Sequence, residues 1–120
     1  MAVILVVDDD QFVCKSLDCL IRAMGHDTLL ANDLAGALLH LSAPQHIDML
    51  LVDIRLSTLA FGGYDIADQA IDIRPDLRVL YTSGRPLTRE MTKHFVGGGR
   101  FIEKPYSPER LERSVDELLH

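Results

Sequence analysis

Basic residues are in short supply in this sequence: Lys and Arg total 12 against 18 Asp and Glu, for a formal charge of -6. Binding to a phosphate backbone relies on clustered Lys and Arg, so no nucleic-acid surface is expected on this domain. Long apolar runs are missing as well. None approaches the roughly 20 residues that a membrane-spanning helix requires, and no membrane association is expected. The opening residues MAVILVV have neither the basic start nor the small-residue cleavage site of a signal peptide. Cysteine is sparse. Cys14 and Cys19 fall within one segment of helical spacing, about 140° apart around a helix, which argues against a disulfide between them. A reduced, cytoplasmic setting is expected. The histidines, His26, His40, His46, His94 and His120, are scattered without the spacing of metal ligands.

What is present has a strong order. Hydrophobic residues make up 48% and charged residues 25% of 120 residues, the balance of one globular domain with a single core. β-like runs alternate with helical patterns along the whole chain. The runs are Val3 to Val7, "HDTLLA", "IDMLLVD", "RVLYT" and "RFIEK". Between them, Phe12, Val13, Leu17, Leu20, Ile21 and Met24 recur at helical spacing before Gly25. A second helix carries Leu34, Ala37, Leu38 and Leu41 between Asp33 and Pro44, and a third carries Tyr64, Ala67, Ala70 and Ile71 up to Pro75. Leu87, Met91 and Phe95 predict a fourth helix, ended by Gly97, Gly98 and Gly99. Ser107 and Pro108 open the fifth, with Leu111, Val115 and Leu118 on its inner face. Strands one, three and four are almost continuously apolar, as strands covered on both faces are. The pattern predicts one α/β unit, (βα)5, spanning 1–120, with helices on both sides of a parallel sheet.

In a sheet of that kind, ligands bind beyond the carboxyl ends of the strands. Strand one ends on Asp8 and Asp9, strand three on Asp53, strand four on Thr82 and Ser83, and strand five on Glu103 and Lys104. Strand two ends on nothing reactive, which suits an edge strand. Singly these residues are unremarkable: Asp10 reads as a helix cap, a Thr closing a strand bonds the next turn, and a Lys beside Pro is solvated. Together they gather carboxylates, a hydroxyl and an ammonium at one rim. Clustered carboxylates call for a cation, and oxygen ligands with water suit Mg²⁺, or Mn²⁺, rather than Zn²⁺. Mg²⁺ shares its coordination readily with phosphate oxygens. With Lys104 and Thr82 added, the rim is suited to a phosphoryl group, and a carboxylate can be the acceptor.

The motifs "VVDDD", "LLVDIRL", "LYTSG" and "FIEKPY", in that order, make the chain resemble the receiver domain of two-component response regulators over essentially its whole length. The resemblance implies a flavodoxin-like fold with strand order 2-1-3-4-5. It implies that Asp53 is the phosphoryl acceptor, that Asp8 and Asp9 form the acidic pair around Mg²⁺, and that Arg55 lends its backbone carbonyl to the metal. Thr82 matches the switch hydroxyl, Lys104 the family's lysine, Pro105 the proline after it, and Phe101 the aromatic whose orientation reports activation. Ser83 supports the same end of strand four. Thr82 and Phe101 are expected to approach one another across adjacent strands. The implied partners are a sensor histidine kinase or histidine phosphotransfer protein and a downstream protein that reads helix four, strand five and helix five. The short lead into strand one suggests a stand-alone regulator.

After Asp53 the sequence departs from the family. Ser57 stands where receivers commonly have Pro, and "STLAFGGY" is long and apolar; Leu59, Ala60 and Phe61 are expected to pack locally or to touch a partner. Two rival readings fit parts of the same pattern. A haloacid dehalogenase-like phosphotransferase would use Asp8 as nucleophile and Asp10 as general acid/base. It would leave Asp53 unexplained, and it needs a second acidic pair that "KPYSPER" does not provide. A pseudo-receiver binding module would not be expected to keep Asp8, Asp9, Asp53, Thr82 and Lys104 together.

Overall fold

The computed structural model describes residues 1–56 and 62–120. Strands and helices alternate as the sequence predicts: β1 (Val3–Val7), α1 (Gln11–Ala23), β2 (Asp27–Ala31), α2 (Leu34–Ser42), β3 (Met49–Asp53), α3 (Gly62–Ile73), β4 (Arg78–Ser83), α4 (Arg89–Thr92), β5 (Arg100–Glu103) and α5 (Pro108–Leu119). All strand pairs are parallel, in the order β2-β1-β3-β4-β5. Ser57 and the apolar stretch Leu59, Ala60 and Phe61 lie outside the described residues.

Side chains alternate across each strand, so the apolar runs feed two cores at once. Ile4, Val6, Met49, Leu51, Leu80 and Ile102 meet Leu17 and Ile21 of α1 and Leu111 and Val115 of α5. Leu5, Val7, Leu50, Val52, Val79 and Tyr81 meet Ala37 and Leu41 of α2 and Ala67 and Ala70 of α3 on the other face. That is why β1 has no polar residue and β3 has none until its last position.

The helix ends follow from capping chemistry. Asp10 accepts the amide of Phe12 at 2.8 Å, Asp33 that of Gly36 at 2.8 Å and Ser107 that of Arg110 at 3.1 Å; each such cap stabilises its helix by about 1 kcal/mol. Gly25 closes α1 with φ 90, in the left-handed region that favours glycine. Cys14 is buried and Cys19 exposed on α1, both as free thiols, as their spacing predicts.

Helix α4 differs from expectation. The spacing of Leu87, Met91 and Phe95 predicts about two turns, but α-helix covers Arg89–Thr92 alone. Beyond it, the amides of His94 and Phe95 bond three residues back, to Met91 and Thr92. The amide of Val96 leaves the helix for the Tyr81 hydroxyl, at 2.9 Å. A tertiary hydrogen bond and the Phe95–Tyr81 ring contact have overridden a local preference.

Candidate functional site

The carboxyl ends of β1, β3, β4 and β5 meet at one rim. Asp8 follows β1 and is 2% exposed. Its backbone is pinned from three sides: the amide donates to Ala31 O, and the carbonyl accepts from Asn32 Nδ2 at 3.1 Å and Cys14 Sγ at 3.3 Å. Its carboxylate takes the Asp10 amide at 2.9 Å on Oδ1 and Lys104 Nζ at 3.2 Å on Oδ2. Asp53, 9% exposed at the end of β3, repeats the arrangement with the Arg55 amide at 3.0 Å and Lys104 Nζ at 2.8 Å. Lys104 therefore bridges the two carboxylates. Its own backbone is held in place by the Lys104 amide, which donates to Ser83 O at 2.8 Å.

Gly63 of α3 presses against the acceptor strand from behind. Its amide donates to Ile54 O at 3.0 Å, and a Cβ there would stand 2.2 Å from Asp53 O. Only glycine permits that approach. Thr82 and Ser83 are buried at the end of β4. Ser83 Oγ accepts the Arg85 amide at 3.2 Å, while Thr82 Oγ1 has no hydrogen-bond partner among the described residues.

Charge is unbalanced here. Burial, chiefly, holds the Asp8 carboxyl above the usual carboxylate range, with the nearby Asp53 charge adding to the effect and the Asp10 amide and Lys104 opposing it. Burial pulls the Lys104 ammonium down, but hydrogen bonding and attraction from Asp53 and Asp8 outweigh it and leave the group raised. The two directions agree physically, because one ammonium serves two carboxylates and remains protonated while a carboxylate is in excess. Tyr106, beyond Lys104, is pushed up to about 12 by burial.

The residues present fit a cation and a phosphoryl group. Asp8, Asp9 and Asp53 each offer an oxygen within 4.8 Å of the others, and an all-oxygen carboxylate set of this kind suits a hard divalent cation such as Mg²⁺. An unpartnered buried hydroxyl costs about 1–3 kcal/mol, so Thr82 Oγ1 is placed to gain from an added acceptor.

Of the residues singled out in the sequence, Asp8, Asp53 and Lys104 are in direct contact, Asp9 joins the acidic group, and Thr82 stands opposite Asp53 in register. Phe101 lies on β5, the strand that neighbours Thr82 of β4. It pairs with Tyr81, and Thr82 pairs with Ile102. Asp10 is an N-cap, as predicted, and so is committed to α1. Sequence reasoning missed Asn32, which follows the unreactive edge strand yet supports Asp8, and the Asp10 and Arg55 amides, because a backbone donor leaves no mark on residue type. Gly63 had a signal, a glycine opening a helix where a cap residue is usual.

Comparison with known proteins agrees with this geometry. The response regulator receiver domain profile matches residues 4–116. A probable transcriptional regulator of Porphyridium aerugineum is 24% identical over 97% of this chain and 47% of its own length. The response regulator SaeR of Staphylococcus epidermidis is 25% identical over 99% of this chain and 51% of its own. The chain thus spans about half the length of these curated relatives. A response regulator receiver protein from Sinorhizobium medicae superposes with a TM-score of 0.87 at 25% identity, covering 98% of this chain and 94% of that one. A CheY-like receiver domain protein from Methanospirillum hungatei does so with 0.86 at 23% identity, covering 99% and 94%. Neither the dehalogenase-like nor the pseudo-receiver reading is favoured by these matches. With the profile spanning nearly the whole sequence and the acidic rim in place, the chain belongs to the receiver domains of two-component response regulators.

Proposed function

We propose that Asp53 accepts a phosphoryl group from the phosphohistidine of a sensor histidine kinase or histidine phosphotransfer protein. An Asp53 carboxylate oxygen bonds to phosphorus as the phosphorus–nitrogen bond breaks, and the departing imidazole keeps the electron pair. Asp8, Asp9, Asp53 and the Arg55 backbone carbonyl would hold Mg²⁺, or Mn²⁺ in its place, which when bound offsets the charge on the transferring oxygens. Lys104, already 2.8 Å from Asp53, pairs with a phosphoryl oxygen. Thr82 supplies a hydrogen bond to another. Pro105 and Ser83 keep Lys104 and the β4 end in position, and Phe101 responds on β5. Water attack on phosphorus later returns the carboxylate and inorganic phosphate. The domain is a substrate that assists its own modification, and it is not an enzyme acting on a small molecule.

The observation that carries this reading is the pairing of a Lys104-bridged, metal-competent carboxylate group with a buried, unpartnered Thr82 hydroxyl. The output surface is the one formed by α4, β5 and α5. A groove of about 490 Å³ opens there, lined by Leu87, Phe95, Phe101, Ser114 and Glu117, and a downstream protein of unassigned identity would dock on it. No described helix is long and apolar enough to cross a membrane. The free thiols of Cys14 and Cys19 fit a cytoplasmic setting.

Intact mass after incubation with acetyl phosphate tests the assignment. One acid-labile phosphoryl group is expected with Mg²⁺ and none with chelator, and Asp53→Asn should abolish it while the protein stays folded. Labelling that survives in Asp53→Asn but is lost in Asp8→Asn would sink the assignment.

A further inference from the structure

The disagreement between the predicted and observed lengths of α4 has a specific cause. Residues 93–96 have the apolar spacing of a helix that would continue through Phe95 and stop at Gly97, a residue favoured just past a helix end. Two side chains compete with that continuation. Thr92 Oγ1 donates to Arg89 O at 2.7 Å, the carbonyl to which the Lys93 amide would donate in a continued helix. Tyr81 Oη takes the Val96 amide at 2.9 Å, which would otherwise bond Thr92 O. Tyr81 is fully buried and stacks on Phe95 at 4.2 Å between ring centres, and Gly99 passes so close that a Cβ would stand 2.9 Å from its ring. Phe95 in turn stacks on Phe101 at 6.4 Å.

We propose that α4 is a helix of two lengths, latched short by the Tyr81 hydroxyl, and that occupancy of the Asp53 site shifts it to the long form. Tyr81 is suited to this position. It precedes Thr82 in the chain, pairs with Phe101 across the sheet, and holds the tail of α4 by both its ring and its hydroxyl. A ligand on Asp53 that draws Thr82 moves the residue bonded to it, and a turn of Phe101 removes one of the three rings, with Tyr64 and Tyr81, that hold Phe95. Releasing the Val96 amide then lets it return to Thr92 O, which lengthens the helix on the face that a partner would read. Ligand binding selects between two arrangements of one segment, and neither has to be created. The latch stands on the contacts above; its coupling to Asp53 rests on the function proposed for that site.

Carbon-13 Cα shifts of residues 93–96 read the helix length directly. Tyr81→Phe removes one oxygen and keeps the ring, and without any ligand it should move those four residues downfield toward helical values. Thr92→Ala, at an exposed position, should move them the same way to a smaller extent. Unchanged shifts in both variants, with strand signals intact, overturn the latch. In the parent, beryllofluoride with Mg²⁺ should move the same residues in the same direction. If beryllofluoride perturbs residues around Asp53 but leaves 93–96 unmoved, the coupling is wrong and the site stands. If it perturbs nothing at all, the reading of the Asp53 site is the part that fails.

Discussion

The carboxylate of Asp8 shares its ammonium on unequal terms, because Lys104 Nζ is 3.2 Å from Asp8 and 2.8 Å from Asp53. Burial then leaves the ionised form of Asp8 disfavoured, and its carboxyl titrates above the usual range. The sign of the linkage follows. A group whose pKa is raised on folding contributes stability below its unfolded value and loses that contribution as pH rises through the folded value. Asp8→Asn keeps an oxygen for the Asp10 amide, leaves Lys104 paired with Asp53, and does not titrate. In chelator at neutral pH the variant should therefore be more stable than the parent, by about 1 kcal/mol. The advantage should shrink as pH falls through the folded pKa of Asp8 and the parent carboxyl gains its proton. Urea unfolding at several pH values measures it; an advantage that grows on acidification contradicts the account. The same variant should bind Mg²⁺ more weakly, so the residue gives up apo stability in favour of ligand binding.

At the scale of elements, the contact between α3 and the end of β3 fixes the turn that delivers the Arg55 amide to Asp53. Gly63→Ala would put a Cβ 2.2 Å from Asp53 O and 2.7 Å from Ile54 Cα. Both are backbone atoms and cannot swing aside, so α3 or the turn must shift. A loss of about 1–3 kcal/mol is expected, as for other overpacked sites, together with slower phosphorylation of Asp53. Gly84→Ala, whose Cβ would meet nothing within 4 Å, is the control and should match the parent in both measurements. If Gly63→Ala labels at the parent rate despite its lower stability, the contact supports the fold and not the acceptor. Elements were largely legible in the sequence because strands buried on both faces and helices with a named cap leave repeated marks. Asp10, Asp33 and Ser107 all cap as predicted. The length of α4 was not legible, since the Tyr81 hydroxyl that shortens it comes from another strand, on a residue whose apolar setting gives no hint of a donor to hold. The pairing of Phe101 with Tyr81 was not legible either, because strand register is settled by contacts between strands that are distant in sequence.

Across the whole molecule, both cores rest on opposite faces of one five-stranded sheet, so a repulsion at the sheet's carboxyl rim is borne by the entire domain. The chain carries a net charge of -6, and Asp8, Asp9 and Asp53 concentrate part of it at that rim. A cation bound there and not to the unfolded chain must raise stability by mass action, about 2.7 kcal/mol at a hundredfold excess over Kd. For a domain of this size that corresponds to a rise in Tm on the order of 10 °C. Simple screening of the net charge would also stabilise, but it depends on ionic strength and not on the identity of the cation. The two causes separate in a thermal titration of Mg²⁺ against NaCl at matched ionic strength. We expect the Mg²⁺ curve to climb well above the NaCl curve, to keep rising with the logarithm of concentration past the Kd, and to fall toward the NaCl curve in Asp53→Asn. Superimposed curves for the parent would mean that the acidic rim binds no cation specifically, and that its stabilisation by salt belongs to the charge of the whole chain.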